Sequence, residues 1–450
     1  MKGYTSLAGL VVASLCSAVS PAAAQGWTRL TPPSTNIGPI ACSADGSRFL
    51  VAGGYWWAPG DVLYVSHDRG ATWAAARVPT GAWYAVASSA EGTTLMAAET
   101  LSGAVFISND AGATWSRAGL PAAPWQGLAS SASGAALYAA ASRTTNGSPE
   151  GTYASFDGGA TWSQTGTPPT TNGDWGPVAC SADGTHVMAG EGRNVWISIN
   201  SGARFRLAYT LFPPYLGSGD QLVCASLACS ADGTKVAVGA KSLAQYGYPQ
   251  VAVATSTNSG ATWAWSSGTL PAEAPWPYAW QAVGVSAGGC RMAALGVGGP
   301  VPAGGLPLGP AMLSDDSGAS WTEPPGVADV YGAAGTTNSV APWTGLALSA
   351  DGLRLTAVYL EGLDGRYAPS LLASQVAPAP VIQADVSGRR LVLSWIVPSA
   401  GFVLQQSPDL GAAKWTNAAA TPVLNYSTLR CEVSVPAAAG QMFYRLAPSK

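Results

Sequence analysis

Charge is what this 450-residue chain lacks most: Asp, Glu, Lys and Arg make up 10% of it, against roughly 25% in an average soluble protein. Lys plus Arg number 21 and Asp plus Glu 24, so the net charge is only −3. No basic stripe offers nucleic acid an electrostatic footprint. Histidine is almost missing. His67 and His186 lie far apart in sequence, which excludes a His-rich metal site, and no cofactor is expected. No apolar run after residue 20 approaches the roughly 20 residues of a membrane helix. Lys, Glu and Leu, which favour helices, are scarce.

What is abundant points the other way. The chain holds 55 Gly, 33 Pro and 18 Trp, and 48% of it is hydrophobic, with much Ala, Thr and Ser. Such a composition favours strands joined by tight turns, so the fold class expected is all-β. Residues 1–24 read as a signal peptide: Lys2, then an apolar stretch from Leu7 to Val19, then Ala22-Ala23-Ala24 before Gln25. The expected location is outside the cytoplasm: secreted, periplasmic or at the cell surface. Cleavage there removes one of the seven Cys. The remaining six do not look like a disulfide framework. Cys42, Cys180 and Cys229 fill one slot of an internal repeat whose other copies carry Ser88, Ser130, Val285 and Leu348. A slot that takes Ser, Val or Leu wants something small or apolar, so buried free thiols are expected.

That repeat organises the chain. Trp-x-x-Val-Ala-x-Ser-Ala-Asp-Gly recurs, with variations, at Trp83 to Gly92, Trp125 to Gly134, Trp175 to Gly184, Trp280 to Gly289 and Trp343 to Gly352. Two copies without the Trp, Ile37 to Gly46 and Cys224 to Gly233, make seven, spaced by roughly 40–60 residues. An octapeptide, Ser-x-Asp-x-Gly-x-Thr-Trp, comes after each of the first six copies. It is intact at Ser66 to Trp73, Ser108 to Trp115 and Ser155 to Trp162. It is nearly so at Ser314 to Trp321, and altered at Ser256 to Trp263 and Ser198 to Phe205. The third residue, Asp68, Asp110, Asp157, Asn200, Asn258 or Asp316, offers an oxygen to the turn's own N–H groups. The Gly permits positive φ, and the Trp is expected to pack under the next copy.

The octapeptide resembles the Asp-box, or BNR repeat, of sialidase-like proteins, over about residues 26 to 376. The resemblance implies a seven-bladed β-propeller of four-stranded blades. It also implies that the Asp-box residues are structural. The seventh copy has no octapeptide. Gly26 to Pro33 resembles the segment after another octapeptide, Trp115 to Pro121, so an N-terminal strand is expected to supply the outer strand of the last blade. The expected domains are a propeller over 25–376, a Pro-rich linker over 377–381, and a small β-sandwich-like domain over 382–450. That domain resembles a C-terminal module of exported bacterial proteins.

A propeller of this kind puts its Ser-Ala-Asp-Gly and octapeptide turns on one face and its variable loops on the other. The loops carry Tyr55, Trp56, Trp57, Tyr246, Tyr248, Trp276, Tyr278, Tyr331, Arg366 and Tyr367, a set whose flat faces suit sugar rings. A sialidase needs three Arg, a Tyr–Glu nucleophile pair and an acid Asp. Arg143, Arg193 and Arg366 fall in these loops, yet no Arg-Ile-Pro-like segment lies near the first copy. Loop carboxylates, among them Glu99, Glu150, Asp174 and Glu191, are numerous, and nothing selects a catalytic pair. No catalytic residue is therefore assigned. The chain reads as a monomeric, non-catalytic binder of a glycan or a protein, resembling Asp-box proteins without assigned activity and propeller assembly factors of photosystem II. A sialidase-like glycoside hydrolase is the alternative.

Overall fold

The computed structural model describes residues 26–34, 37–53, 62–143, 150–166, 174–212, 222–242, 253–265, 277–298, 311–324, 340–363, 366–375, 382–387, 390–396, 402–408, 415–436 and 442–448. Every named element among them is a strand. The chain divides into two compact units, the larger taking in residues 20–377 and the smaller most residues from 378 on.

In the larger unit each repeat copy folds on itself. The second copy runs Trp83–Ser88, Leu95–Glu99, Ala104–Ser108 and Ser116–Arg117, a four-stranded antiparallel sheet in chain order. The first, third and fourth copies repeat that order. The fifth and sixth are linked by a single pair, Lys241 with Ala279, and so count as one seven-stranded sheet. In the last copy Val340–Leu348, Arg354–Leu363 and Arg366–Gln375 are completed by Gly26–Leu30. There Trp27 faces Ser374 and Leu30 faces Leu371, the pairing expected from the sequence.

Packing explains the alanine. The second strand of a copy lies between neighbouring sheets, so both of its faces are covered. Phe49–Gly53, Leu95–Glu99, Leu137–Ala141 and Val187–Glu191 are buried at every position. Such a strand shows no polar alternation and fills its narrow gaps with Ala and Gly. The Trp that opens the innermost strand fills the wider end. Trp83, Trp125, Trp175 and Trp343 are at most 2% exposed. Trp83 packs with Leu50, Ala52 and Leu63 of the preceding copy, and Trp125 Nε1 donates to the Gly103 carbonyl across the same kind of boundary at 3.0 Å. Truncating one of these rings to Ala costs about 3–5 kcal/mol.

The smaller unit has two sheets. One is four-stranded, ordered Gln383–Ser387, Arg390–Ile396, Arg430–Pro436 and Val423–Asn425. The other is three-stranded, with Phe402–Ser407 between Thr416–Asn417 and Phe443–Pro448. Leu393, Trp395, Leu404, Cys431, Val433 and Val435 are buried hydrophobic residues in it.

Candidate functional site

The Ser-Ala-Asp-Gly turn is the most repetitive part of the chain, and the structure gives each of its residues a task. The Ser is buried, and its Oγ accepts the N–H five residues on, as Ser43 does from Arg48 at 3.0 Å and Ser230 from Lys235 at 3.0 Å. The same hydroxyl donates to the Asp two residues later, as Ser349 does to Asp351 at 2.6 Å. The Gly has positive φ throughout, from +63° at Gly46 to +76° at Gly134.

The Ala joins the copies. The Ala44 N–H donates to the Ala90 carbonyl, Ala90 to Ala132, Ala132 to Ala182, Ala182 to Ala231, Ala231 to Ala287, Ala287 to Ala350, and Ala350 back to Ala44. These seven bonds, all 2.7–2.9 Å, form a closed circle. Just before them in sequence, the slot residues Cys42, Ser88, Ser130, Cys180, Cys229, Val285 and Leu348 line a cavity of about 160 Å³. Its thiols are not reactive groups. Burial pushes Cys42 and Cys229 up to about 12 and raises Cys180 as well, so all three stay protonated near neutrality. Cys42, Cys180, Cys224 and Cys229 are free thiols, and among the described residues no group of three His, Cys, Asp or Glu could hold a metal ion.

The octapeptide is equally consumed by the scaffold. Ser66 Oγ donates to Asp68 Oδ1 at 2.8 Å and accepts the Gly70 N–H at 2.8 Å. Asp68 Oδ1 accepts the Thr72 N–H at 2.9 Å, and its Oδ2 takes the Thr72 hydroxyl. Asp110 and Asp157 repeat this pattern, and the Thr hydroxyl with its N–H holds all three carboxyls down at about 2. Asn200 and Asn258 accept the corresponding N–H with Oδ1, and Asp316 does the same in the sixth copy.

Two features of this turn differ from the sequence expectation. The residue before the Gly is also left-handed: Arg69, Ala111, Ser201, Ser259 and Ser317 have φ of +54° to +64°. The Trp does not pack under the next copy. It faces the preceding one, as Trp73 shows by donating from Nε1 to the Thr31 carbonyl at 3.1 Å. The reason is steric. The octapeptide Gly lies against the preceding copy, where a β-carbon at Gly70 would meet Leu30 at 2.9 Å and one at Gly112 would meet Val65 at 3.0 Å. The Trp that closes the turn is carried to the same side.

At the loop end, the expected ligand-binding residues Tyr55, Trp56, Trp57, Tyr246, Tyr248, Trp276 and Tyr331 lie outside the described residues. Tyr278, Arg366 and Tyr367 belong to the strands Pro277–Val285 and Arg366–Gln375, with side chains outside the description. Of the loop arginines, Arg143 pairs with Glu150, Nε to Oε2 at 3.5 Å.

Glu99 is buried at 6% exposure and fully engaged. It accepts the N–H groups of Ala82, Leu101 and Ser102 and the Ser102 hydroxyl. Burial alone would raise its pKa, but these bonds, led by the Ser102 hydroxyl, outweigh it and lower the value. A general acid needs the opposite shift, so Glu99 braces its loop. Glu191, at the same register opposite a Trp, takes the Asn194 amide at 3.0 Å. Asp351 is pushed up by burial, but it sits in the 349–352 turn, at the end of the sheet away from these loops.

No protein-family model and no curated protein matches the chain. Solved structures do. YCF48 from Cyanidioschyzon merolae superposes with a TM-score of 0.52 at 13% identity, over 78% of this chain and 98% of that one. The larger unit has a β-propeller fold. A structure of YCF48 bound to D1 peptide gives a TM-score of 0.50 at 13% identity, over 78% and 97% of the two chains. A GH74 xyloglucanase from Xanthomonas campestris gives 0.43 at 14% identity, over 82% and 71%. At such identity the likeness is one of fold, and a fold does not choose between binding and catalysis.

Proposed function

We propose that the larger unit is an exported, seven-bladed propeller of the Asp-box type that binds a ligand, a glycan or a protein, on the loop face opposite the octapeptides. In this reading the smaller unit is a β-sandwich-like module, and the whole is a monomeric binder. The observation that carries it is the contrast between the two ends of the sheets. At the turn end the buried Ser of all seven copies accepts the N–H five residues on, and the six octapeptides bond within themselves in one pattern. At the loop end the second and third strands are separated by two residues in the fourth copy, 192–193, and by twelve in the sixth, 299–310. Variation concentrated on one side of a uniform scaffold is how recognition loops are displayed.

Screening the purified mature protein on a glycan panel, scoring both retained protein and released sugar, tests this. Retention without release, lost in Trp56→Ala/Trp57→Ala, is expected for a glycan binder. Release from any glycoside would replace binding by hydrolysis. Absence of retention would leave a protein ligand.

A further inference from the structure

The innermost strand of every copy breaks step with its neighbour at one place. Trp83 faces Glu99 but Ala85 faces Ala98, so Tyr84 is left out of the ladder. Trp280 faces Gly296 but Ala282 faces Leu295, so Gln281 is left out in the same way. All seven copies carry this β-bulge, always at the loop end of the strand. A bulge re-aims the side chain it releases, and bulges are frequent beside functional sites.

The bulges lie in one tight circle. A β-carbon on Gly127 of the third copy would meet the Gly176 carbonyl and the Val178 nitrogen of the fourth at 2.7 Å. One on Gly345 of the last copy would meet the Gly38 carbonyl of the first at 3.1 Å. Ser226 Oγ of the fifth copy donates to the Trp280 carbonyl of the sixth at 3.2 Å. Neighbouring inner strands thus touch at this level as they do at the alanine circle, and they enclose a channel. Strand alternation carries its lining from the cavity back to the bulge, as Ser88, Val86 and Tyr84 do in the second copy.

The bulges differ in what they hold. Gly38-Pro39, Gly176-Pro177 and Ala225 leave the first, fourth and fifth copies nearly bare, while Tyr84, Gln126, Gln281 and Thr344 occupy the others. None of these residues is charged. Tyr84 is 40% exposed, yet burial raises its hydroxyl above the usual value, the combination of a ring walled in on its sides and open to solvent at one end. Gln126 is half-buried and Gln281 exposed. The Tyr84 hydroxyl and both amides are bonded to no side chain or backbone group among the described residues. The carboxylates at this level are already spent, because Glu99 and Glu191 bond into their own loops.

We propose that Tyr84, Gln126 and Gln281, set on this ring of bulges, are the selecting part of the loop-face site, and that they take an uncharged sugar residue. Tyr84 offers an aromatic face to the sugar's C–H face. The two amides both donate and accept, as sugar hydroxyls do. An acidic sugar would bring a carboxylate into a channel mouth whose bulges supply no cation, at a desolvation cost. The inference rests on the loop-face binding proposed above and names its ligand class.

Titration of the full mature chain with fluorescently labelled neutral oligosaccharides of gluco, manno and galacto configuration tests it, with sialylated and uronate-bearing oligosaccharides as comparisons. A neutral member is expected to bind and the acidic ones are not. Tyr84→Ala and Gln126→Ala/Gln281→Ala are each expected to weaken binding about tenfold or more. Gln281→Ala alone, at an exposed position that packing does not restrict, is expected to weaken it about threefold even where another variant folds poorly. Acidic oligosaccharides binding as tightly as neutral ones would overturn the proposal. So would neutral binding that is lost in Trp56→Ala/Trp57→Ala but unchanged in Tyr84→Ala and Gln281→Ala, a result that leaves loop-face binding standing. Binding of no oligosaccharide at all also overturns it, and leaves the loop face to a protein ligand.

Discussion

The Ala350 N–H donates to the Ala44 carbonyl at 2.7 Å, joining the last Ser-Ala-Asp-Gly turn to the first across nearly the whole larger unit. Arg354 reinforces the joint, donating from Nη1 to the Asp45 carbonyl at 3.2 Å. Arg48 repeats the contact one copy on, with the Glu91 carbonyl at 3.0 Å. The unit is thus closed at two places, by this turn circle and by the strand Gly26–Leu30 on Arg366–Gln375.

Removing residues 26–30 opens only the second closure. The partly buried Trp27 and Leu30 are lost and the outer edge of the last sheet is left bare. A stability loss of about 2–4 kcal/mol is expected, with a tendency to aggregate through that edge. Denaturant unfolding and light scattering measure the two effects. A variant as stable and monodisperse as the parent would remove the strand's closing role.

Two glycines separate backbone strain from packing. Gly233 has φ +68°, and a β-carbon there would stand 2.5 Å from His186 Cβ. Gly192 has φ +52° with nothing within 4 Å. Gly192→Ala is expected to cost about 1–2 kcal/mol, from the left-handed backbone alone. Gly233→Ala adds overpacking of about 1–3 kcal/mol. Equal costs in urea titrations would mean that contact between copies contributes nothing.

The left-handed residue of the octapeptide predicts a stabilising change. Ala111 has φ +59°, and the third copy already carries Gly158 at this position, with φ +68°. Ala111→Gly should raise stability by up to about 1 kcal/mol, since the relief of strain exceeds glycine's extra chain entropy. Thermal unfolding checks the sign.

Acid should loosen the same turns. Asp68, Asp110 and Asp157 are held at about 2 when folded, below the ordinary value of about 3.9. A depressed folded pKa contributes stability above the unfolded pKa, and that contribution is lost as pH falls from about 4 through 2. Replacing all three by Asn, the residue of the fourth and fifth copies, should flatten the stability profile in that window. Circular dichroism melts from neutral to acid pH read it directly.

The thiols around the cavity should be silent in the native state. With Cys42 and Cys229 pushed up to about 12 by burial, a disulfide reagent at neutral pH should modify neither until denaturant is added. Fast native labelling of either would show that the cavity opens.

Much of this arrangement is legible in the residue order because the repeat says the same thing seven times. The Ser, Asp and Gly of each turn report their local hydrogen bonds, since those partners lie two to five residues away. The slot of Cys42, Cys180 and Cys229 reports burial through the residues that replace them. The direction in which the octapeptide Trp leans is not legible. It depends on which neighbouring sheet the Gly touches, and a repeat looks alike in both directions. The left-handed φ at Ala111 and Ser201 is hidden for a different reason: neither residue type favours it, and the hydrogen bonds around the turn impose it.

The sequence by itself determined the strand order within each copy, the turn chemistry and the scarcity of charge, all of which arise from short-range backbone preference and burial. Only the tertiary structure decided the circle of alanine hydrogen bonds and the side to which the octapeptide Trp leans. Those depend on contacts between copies dozens of residues apart. No local propensity encodes such contacts, because their energy exists only once the sheets have packed.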